Sequence, residues 1–226
     1  MKPTNQCLFL SSSYQCQEEP DYPYHYCVLH NVFADESKAI NKLQKTLATK
    51  IDTHIGYILN NLVVPKTQSL KIKQKQLCDI HIEDSLIDRI FILSSNLSDT
   101  TCIDNNFNHL VLDDLLLKNL NINRLNSYRS NIVSCDLEHS LIQRCHLMEG
   151  VINDCTFISV HFKDCVFDNF KIRNNQFIDC NFENCKFLNN TMITNQFEGC
   201  LGLDSTQFSD CLIDESTKRS MTASPE

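Results

Sequence analysis

The feature that most constrains the fold is a hydrophobic residue at every fifth position. From Ile72 to Phe197, steps of five visit 26 positions, and 25 of these are hydrophobic. Because 42% of the chain is hydrophobic, an arbitrary phase would place about 11 hydrophobic residues there. A helix repeats every 3.6 residues and a strand every 2, so neither keeps every fifth side chain on one face. A coil built from five-residue segments is therefore predicted, with these central residues pointing to its axis.

A second inward register is predicted two positions before each central residue, where there is less room. If four segments complete a turn, residues 20 apart form columns with a spacing of about 4.8 Å. Free cysteine packs as a compact apolar side chain, and no histidine or carboxylate shares this register to complete a metal site. We therefore predict core thiols rather than a disulfide framework or a metal centre. Seven of the 13 cysteines fall in this register: Cys135, Cys145, Cys155, Cys165, Cys180, Cys185 and Cys200.

The repeat carries a family resemblance. Residues 154–190 read DCTFISVHFKDCVFDNFKIRNNQFIDCNFENCKFLNN, which resembles the pentapeptide-repeat proteins, and the resemblance extends from Lys71 to Glu215. It implies an all-β solenoid, a right-handed quadrilateral parallel β-helix of about seven coils. The chain departs from the commonest family pattern because Cys, Ser, Leu or Asn replaces alanine in the second register.

The two ends of the repeat are predicted to differ. Residues 1–69 form an N-terminal segment, and its Ile and Leu spacing of three and four predicts an amphipathic helix over about 35–64. A solenoid needs caps, so this helix is expected to cover the first coil, with a partner-binding helix as the alternative. The repeat occupies 70–215, and a one-residue phase shift after Phe197 predicts a bulge near Gly199 to Gly202. The polar tail, 216–226, is expected to be disordered.

Composition and charge exclude several functions. Only four glycines disfavour phosphate-binding loops and dinucleotide fingerprints, and a net charge of -8 opposes direct contact with nucleic acid or anionic membrane. No stretch approaches the roughly 20 apolar residues of a membrane span, and no export signal is visible, so a cytoplasmic protein is expected. A narrow coil filled by Phe and Leu leaves no site for convergent reactive groups. We expect no enzyme activity and no cofactor.

The candidate binding residues lie one position after the central register. Lys118, Glu138, Ile158, Ile178 and Glu198 are 20 apart, so Ile158 and Ile178 are predicted to stack outward on one face, bracketed by acids. Two interpretations stay open. The isoleucines serve sheet propensity alone, or they form a protein-contact patch. The candidate protein-binding residues are Ile158, Ile178, Glu138 and Glu198.

We expect the partner to be another protein, whose identity does not follow from the sequence. The resemblance implies two settings. Some family members are effectors delivered into a host cell by a specialised secretion system, and the layout of a short repeat beside a non-repeat segment favours this one. The alternative is a DNA-mimicking protein that binds type II topoisomerase (gyrase) and protects it from inhibitors. The C-terminal tail lacks the apolar residues of a dimerising helix, so a monomer is expected.

Overall fold

A computed structural model describes residues 53–60, 62–64, 66 and 69–223, together with Lys45. Within these residues the chain forms 26 short strands followed by one helix, α1 (Glu215–Ala223). In chain order the strands are β1 (Thr53–Ile55), β2 (Ile58–Asn60), β3 (Val63–Val64), β4 (Leu70–Lys73), β5 (Gln76–Cys78), β6 (His81–Glu83), β7 (Leu86–Ile87), β8 (Ile90–Leu93), β9 (Asn96–Ser98), β10 (Thr101–Ile103), β11 (Asn106–Asn108), β12 (Leu110–Lys118), β13 (Asn121–Asn123), β14 (Asn126–Glu138), β15 (Leu141–Gln143), β16 (His146–Asn153), β17 (Thr156–Ile158), β18 (His161–Lys163), β19 (Val166–Arg173), β20 (Gln176–Ile178), β21 (Asn181–Glu183), β22 (Lys186–Leu188), β23 (Thr191–Ile193), β24 (Gln196–Glu198), β25 (Gln207–Ser209) and β26 (Leu212–Ile213).

The strands pair in parallel as four ladders, and most partners are 20 residues apart. The first ladder joins β4, β8, β12, β14, β16, β19, β23 and β26. The second joins β1, β5, β9, the ends of β12 and β14, β17, β20 and β24. The third joins β2, β6, β10, β13, β15, β18 and β21. The fourth joins β3, β7, β11, the beginnings of β14, β16 and β19, β22 and β25.

The chain turns from one ladder to the next two residues after each central position. At 25 of the described non-glycine residues φ lies between 46° and 58°, which is the left-handed region. Asp and Asn tolerate this conformation better than most residues, and more than half of the 25 are Asp or Asn. The corners therefore explain much of the polar composition without any binding role.

Phenylalanine columns fill the C-terminal part of the core. The rings of Phe157 and Phe177 stack with centroids 4.7 Å apart, and those of Phe162 and Phe182 stack at 5.1 Å. These distances match the strand spacing, so in-register rings stack directly on each other. Gly150 lies beside this core, and a Cβ there would come within 2.7 Å of the Phe170 ring. The ring's close approach therefore requires glycine at that position.

The second register packs as predicted. All seven of its cysteines are buried free thiols, and the thiol of Cys165 donates to the Ile142 carbonyl at 3.2 Å. Asn175 and Asn195 bond to each other, Nδ2 to Oδ1, at 2.9 Å. Each also donates to a carbonyl of the preceding turn. Buried polar groups are thus satisfied along the axis, as they must be away from water.

Two insertions change the 20-residue register. Near the C-terminus, partners in β22 and β25 are 21 apart, and so are partners in β23 and β26. Asn181 still pairs with Leu201 at the normal spacing, so the extra residue falls after Leu201, in the turn that Gly202 begins with φ of 75°. This confirms the predicted bulge. Near the N-terminus, partners in β3 and β7 are 23 apart.

The predicted N-terminal helix is wrong over residues 53–60 and 62–64, which contain β1, β2 and β3. In this stretch His54, Leu59 and Val64 are five apart and align with the central residues Leu77, Ile82 and Ile87. Because three extra residues follow Val64, counting back in fives from Ile72 does not reach these positions, and the sequence pattern does not reveal them. Of the earlier part of the predicted helix, only Lys45 is described, and it is helical; the rest lies outside the described residues.

The C-terminal tail is not disordered where it is described, because α1 spans Glu215–Ala223 and packs on β23 and β24. The carboxylate of Asp214 accepts the Thr217 backbone N–H at 3.0 Å, which begins the helix. The hydroxyl of Thr217 accepts the Asn195 backbone N–H at 3.0 Å, and the Ser220 hydroxyl donates to the Phe197 carbonyl at 3.1 Å. The described helical cap is therefore C-terminal.

Candidate protein-binding face

The four predicted binding residues form one outward column on the second ladder. Glu138 is in register with Ile158, Ile158 with Ile178, and Ile178 with Glu198. Neighbouring residues of such a column are one strand spacing apart, about 4.8 Å. The predicted order of the column is confirmed, and the part from Glu138 to Glu198 is called the isoleucine face below.

Burial differs along the isoleucine face. Glu138, Ile158 and Ile178 are half-buried, whereas Glu198 is exposed. The two isoleucines shield each other because parallel in-register pairing places identical side chains side by side. Their outer surfaces remain accessible and form a small apolar strip in the middle of the face.

Carboxylates surround this strip. Glu138 and Glu198 lie above and below it, Asp136 lies on the neighbouring outward column of β14, and Asp179 lies at the corner after Ile178. The Glu138 carboxylate is paired with Lys118, Oε2 to Nζ at 2.7 Å. Among the ion pairs between described residues, none involves Glu198, Asp136 or Asp179. Asp136, Asp179 and Glu198, called the rim below, therefore carry negative charge that no ion pair between described residues neutralises.

The corner at the lower end of the face is tightly built. Gly199 follows Glu198 with φ of 63°, and a Cβ there would lie 2.3 Å from Oδ1 of Asp179. The left-handed conformation is shared with non-glycine residues at the other corners, but a side chain here would displace the Asp179 carboxylate. The absence of a side chain at Gly199 therefore leaves room for this carboxylate beside Glu198.

Sequence reasoning missed the residues that neighbour the face laterally. Thr156 and Gln176 stand one position before the central residues of the same strands, in register with each other, and complete the surface beside the isoleucines. Lys118 was seen in the column, but its pairing with Glu138 was not predicted. The 20-residue spacing is the signal for both, since it identifies which residues of successive turns become neighbours.

A polar cluster lies on the third ladder, away from the isoleucine face. The carboxylate of Glu183 contacts Nζ of Lys163 at 2.6 Å and Nε2 of His161 at 3.2 Å. The hydrogen bond from Lys163 lowers the pKa of Glu183. Because every charged member of this cluster already has a partner within it, the arrangement neutralises charge rather than presenting a reactive group.

The described residues offer no site for a metal ion, since no three His, Cys, Asp or Glu side chains among them converge. Burial raises the pKa of the Cys102 thiol to about 12. The neighbouring Cys165 thiol and burial raise the pKa of Cys145. Raised pKa values make these two thiols poor metal ligands and poor nucleophiles at neutral pH, whereas hydrogen bonds with Cys145 and Cys185 lower the pKa of Cys165, which is fully buried.

The repeat and the ladders define the class of protein. A hydrophobic residue every fifth position, four parallel ladders and a 20-residue register together constitute a parallel β-solenoid of about seven turns. A parallel solenoid is the fold class that the sequence resemblance to pentapeptide-repeat proteins implied. Within the described part of the chain, no helix is long and apolar enough to cross a membrane.

Comparisons with solved structures return distant similarities. A trypsin-treated form of QnrB1, a plasmid-mediated fluoroquinolone resistance protein, is 11% identical and has a TM-score of 0.35 over 77% of this chain and 100% of that one. HetL, a pentapeptide-repeat protein involved in heterocyst differentiation regulation in the cyanobacterium Nostoc, is 8% identical with a TM-score of 0.35 over 79% and 97%. Full-length QnrB1 is 12% identical with a TM-score of 0.30 over 75% and 97%. No family model matches the chain, and no curated protein matches it.

Proposed function

We propose that the protein is a non-enzymatic repeat scaffold that binds another protein through the isoleucine face. The observation that carries this proposal is the in-register pair Ile158 and Ile178, half-buried on an outward sheet surface and bordered by unpaired carboxylates. Apolar contacts at the centre of a patch with a polar rim are typical of protein interfaces. Sheet propensity accounts for the two isoleucines and the left-handed corner accounts for Asp179, but neither accounts for Asp136 and Glu198.

The rim specifies the chemistry of the partner. Asp136, Asp179 and Glu198 place negative charge around the apolar strip, and the only nearby compensation among described ion pairs is Lys118 on Glu138. Complementary charge steers association and selects the register of binding. The partner surface is therefore expected to present an apolar side chain flanked by lysines or arginines.

The non-enzymatic part of the proposal rests on the pairing of the polar groups. The polar cluster at Glu183 is internally neutralised, and the described thiols are buried or half-buried. A catalytic site needs a nucleophile or base that is both accessible and activated. Incubation of the purified protein with panels of ester, phosphoester and glycoside substrates is expected to give no turnover above the buffer rate.

The binding proposal is tested by affinity capture with a matched control. The variant Ile158→Asp/Ile178→Asp adds two charges to the isoleucine face, and Ile103→Asp/Ile193→Asp adds the same charges at half-buried outward positions of the third and first ladders. Lysates of bacterial and of host cells are used in parallel. We expect a partner that the control retains and the first variant loses, with circular dichroism unchanged in both. Identical partner lists for wild type and Ile158→Asp/Ile178→Asp would contradict the proposal.

We further propose that the scaffold acts as a secreted bacterial effector in a host cell, after synthesis in the bacterial cytoplasm. Support comes from the layout, in which a compact repeat rod follows an N-terminal stretch without the repeat. A delivery reporter fused to the N-terminus tests it, with the full chain compared with a chain lacking residues 224–226. This truncation leaves α1 intact. Delivery that persists without these residues would count against a C-terminal transfer signal.

The alternative is a DNA-mimicking protein that binds gyrase and protects it from inhibitors. Its support is the acidic balance of the chain, -8 at neutral pH, together with acidic corner residues such as Asp79 and Asp99 one turn apart. It ranks second because basic residues interrupt other corner columns, where Arg124 binds Asp104 and Arg129 binds Glu149. A gyrase supercoiling assay decides: concentration-dependent inhibition would favour this alternative over the effector.

We also infer that the four ladders wind as a right-handed quadrilateral coil. Connections between parallel strands of one sheet are right-handed in nearly all known folds, and the four ladders succeed one another in constant order along the chain. A crystal structure of the protein would establish the hand and the cross-section.

A further inference from the structure

The N-terminal part of the solenoid contains a cavity of about 100 Å³ on its axis. It lies among inward-facing residues that include Ile82, Leu97, Cys102, Leu112 and Ile122. A second space further along the axis, lined by the central residues from Ile132 to Ile152 and by the phenylalanine rings that follow, is about 50 Å³. The larger space therefore belongs to the aliphatic part of the core.

The burial of the central residues marks the same place independently. Ile82, Leu97 and Ile122 occupy the inward register but are only half-buried. Their equivalents further along the same ladders are at most 5% exposed: Phe162, Phe177 and Phe182. Inward side chains that retain free surface border an unfilled interior. Packing leaves this space because an aliphatic side chain covers less of the axis than a phenylalanine ring.

Cys102 explains why the space is concentrated in this part of the rod. Cys102 has the smallest side chain of the 11 central residues from Ile72 to Ile122. It is in register with Ile82 on one side and with Ile122 on the other. The reduced side-chain volume at this level of the coil therefore leaves room between two isoleucines.

The surface that lines the cavity is almost entirely apolar, and two of its residues, Tyr57 and Thr100, carry a hydroxyl group. The hydroxyl of Thr100, which also borders the cavity, already donates to the Ser98 carbonyl at 3.2 Å. A buried water needs two to four polar partners, and apolar cavities of comparable size stay dry and take up apolar guests. The cavity is therefore suited to an uncharged guest without hydrogen-bonding groups.

We propose that this cavity is a binding site for one small apolar molecule, such as a dissolved gas or a hydrocarbon of a few heavy atoms. The guest would gain dispersion contacts with the aliphatic side chains that now face empty space. Ladder hydrogen bonds close the sides of the coil, so a guest enters along the axis or through local opening of the coil. The site is independent of the isoleucine face.

Xenon is the probe that tests the proposal on the full chain. Methyl resonances of Ile82, Leu97 and Ile122 are followed by NMR as xenon pressure is raised. We expect saturable shifts at these methyls and none at Val160, which is buried in the phenylalanine part of the core and lines neither space. Shifts that rise without saturation, or that spread equally over all methyls, would overturn the proposal.

Two cysteine variants connect the xenon signal to the cavity. Cys102→Leu fills the space and is expected to abolish saturable binding. Cys78→Ser changes the same residue type at an outward, half-buried position of the same end of the rod and is expected to bind xenon as the wild type does. If Cys102→Leu does not fold, Cys102→Val provides a smaller filling, with binding weakened. Undiminished binding in a folded Cys102 variant would contradict the proposal.

Discussion

The aliphatic segment, residues 69–125, and the phenylalanine segment, residues 157–208, share one backbone coil but differ in how the coil is filled. In the phenylalanine segment, rings of successive turns stack at 4.7–5.2 Å, and the space that they line together with the central residues from Ile132 to Ile152 is about 50 Å³. In the aliphatic segment the space is about 100 Å³. The ladder hydrogen bonds are alike in both. The backbone coil therefore tolerates either filling, and the central side chains decide how tightly the interior is packed.

The largest expected difference between the segments comes from truncating one central residue in each. Phe182→Ala removes a buried ring stacked on Phe162 and is expected to lower the free energy of unfolding by about 4 kcal/mol. Ile122→Ala, on the same ladder, removes a half-buried side chain beside an existing cavity and should cost about 2 kcal/mol. Denaturant unfolding measures both. Equal losses would show that the two segments are packed equally well.

Enlarging a cysteine should have opposite effects in the two segments. Cys165→Ile inserts atoms where the side chain is fully buried in a filled region and is expected to cost about 2 kcal/mol. Cys102→Ile extends into the cavity and should stabilise the protein by about 1 kcal/mol. Thermal unfolding followed by circular dichroism provides the comparison. A destabilised Cys102→Ile variant would mean that the aliphatic segment cannot use the space.

Loss of one capping hydroxyl should weaken the phenylalanine segment alone. Thr217→Val keeps the shape of the side chain but removes the acceptor of the Asn195 backbone N–H, and a cost of about 1 kcal/mol is expected. Hydrogen exchange should accelerate in β23 and β24 and stay unchanged in β5 to β10. Faster exchange throughout the chain would show that the segments unfold as one unit.

The smallest expected effect is a local response to acid. Hydrogen bonds from Thr217 and Ser216 hold the pKa of Asp214 well below its usual range. A lowered folded-state pKa means that the carboxylate stabilises α1 above the ordinary Asp pKa of about 4, and that this contribution is lost as pH falls below it. Exchange at α1 should rise with acid in the wild type and be less sensitive to acid in Asp214→Asn. An identical acid response in both proteins would show that Asp214 does not cause the faster exchange of α1 in acid.

The regular part of the fold was predictable because one spacing governs it. The inward register, the cysteine columns and the phase shift after Phe197 all follow from counting in fives and twenties. The candidate column from Glu138 to Glu198 follows from the same count. Its half-burial and the pairing of Glu138 with Lys118 depend on side-chain conformations that spacing does not determine.

The two ends were mispredicted for physical reasons. In the stretch that forms β1 to β3, Ile55, Ile58 and Leu62 fit a helical period, whereas the central positions of the coil are His54, Leu59 and Val64. The three-residue insertion after Val64 separates these central positions from the main phase. In the tail, Thr217 and Ser220 resemble the residues of a disordered segment. Their hydroxyls instead bond to backbone groups of the last turn, a role that appears only when the end of the rod is known.

The 20-residue register also limits how such a chain can change in length during evolution. Duplication of four consecutive repeats adds one turn and returns every later residue to its own ladder, so a surface such as the isoleucine face is preserved. Duplication of a single repeat keeps the core pattern but moves every later residue to the next ladder, which would separate Ile178 from Ile158 if it occurred between them. Folding tolerates steps of five residues, whereas a binding surface tolerates only steps of twenty.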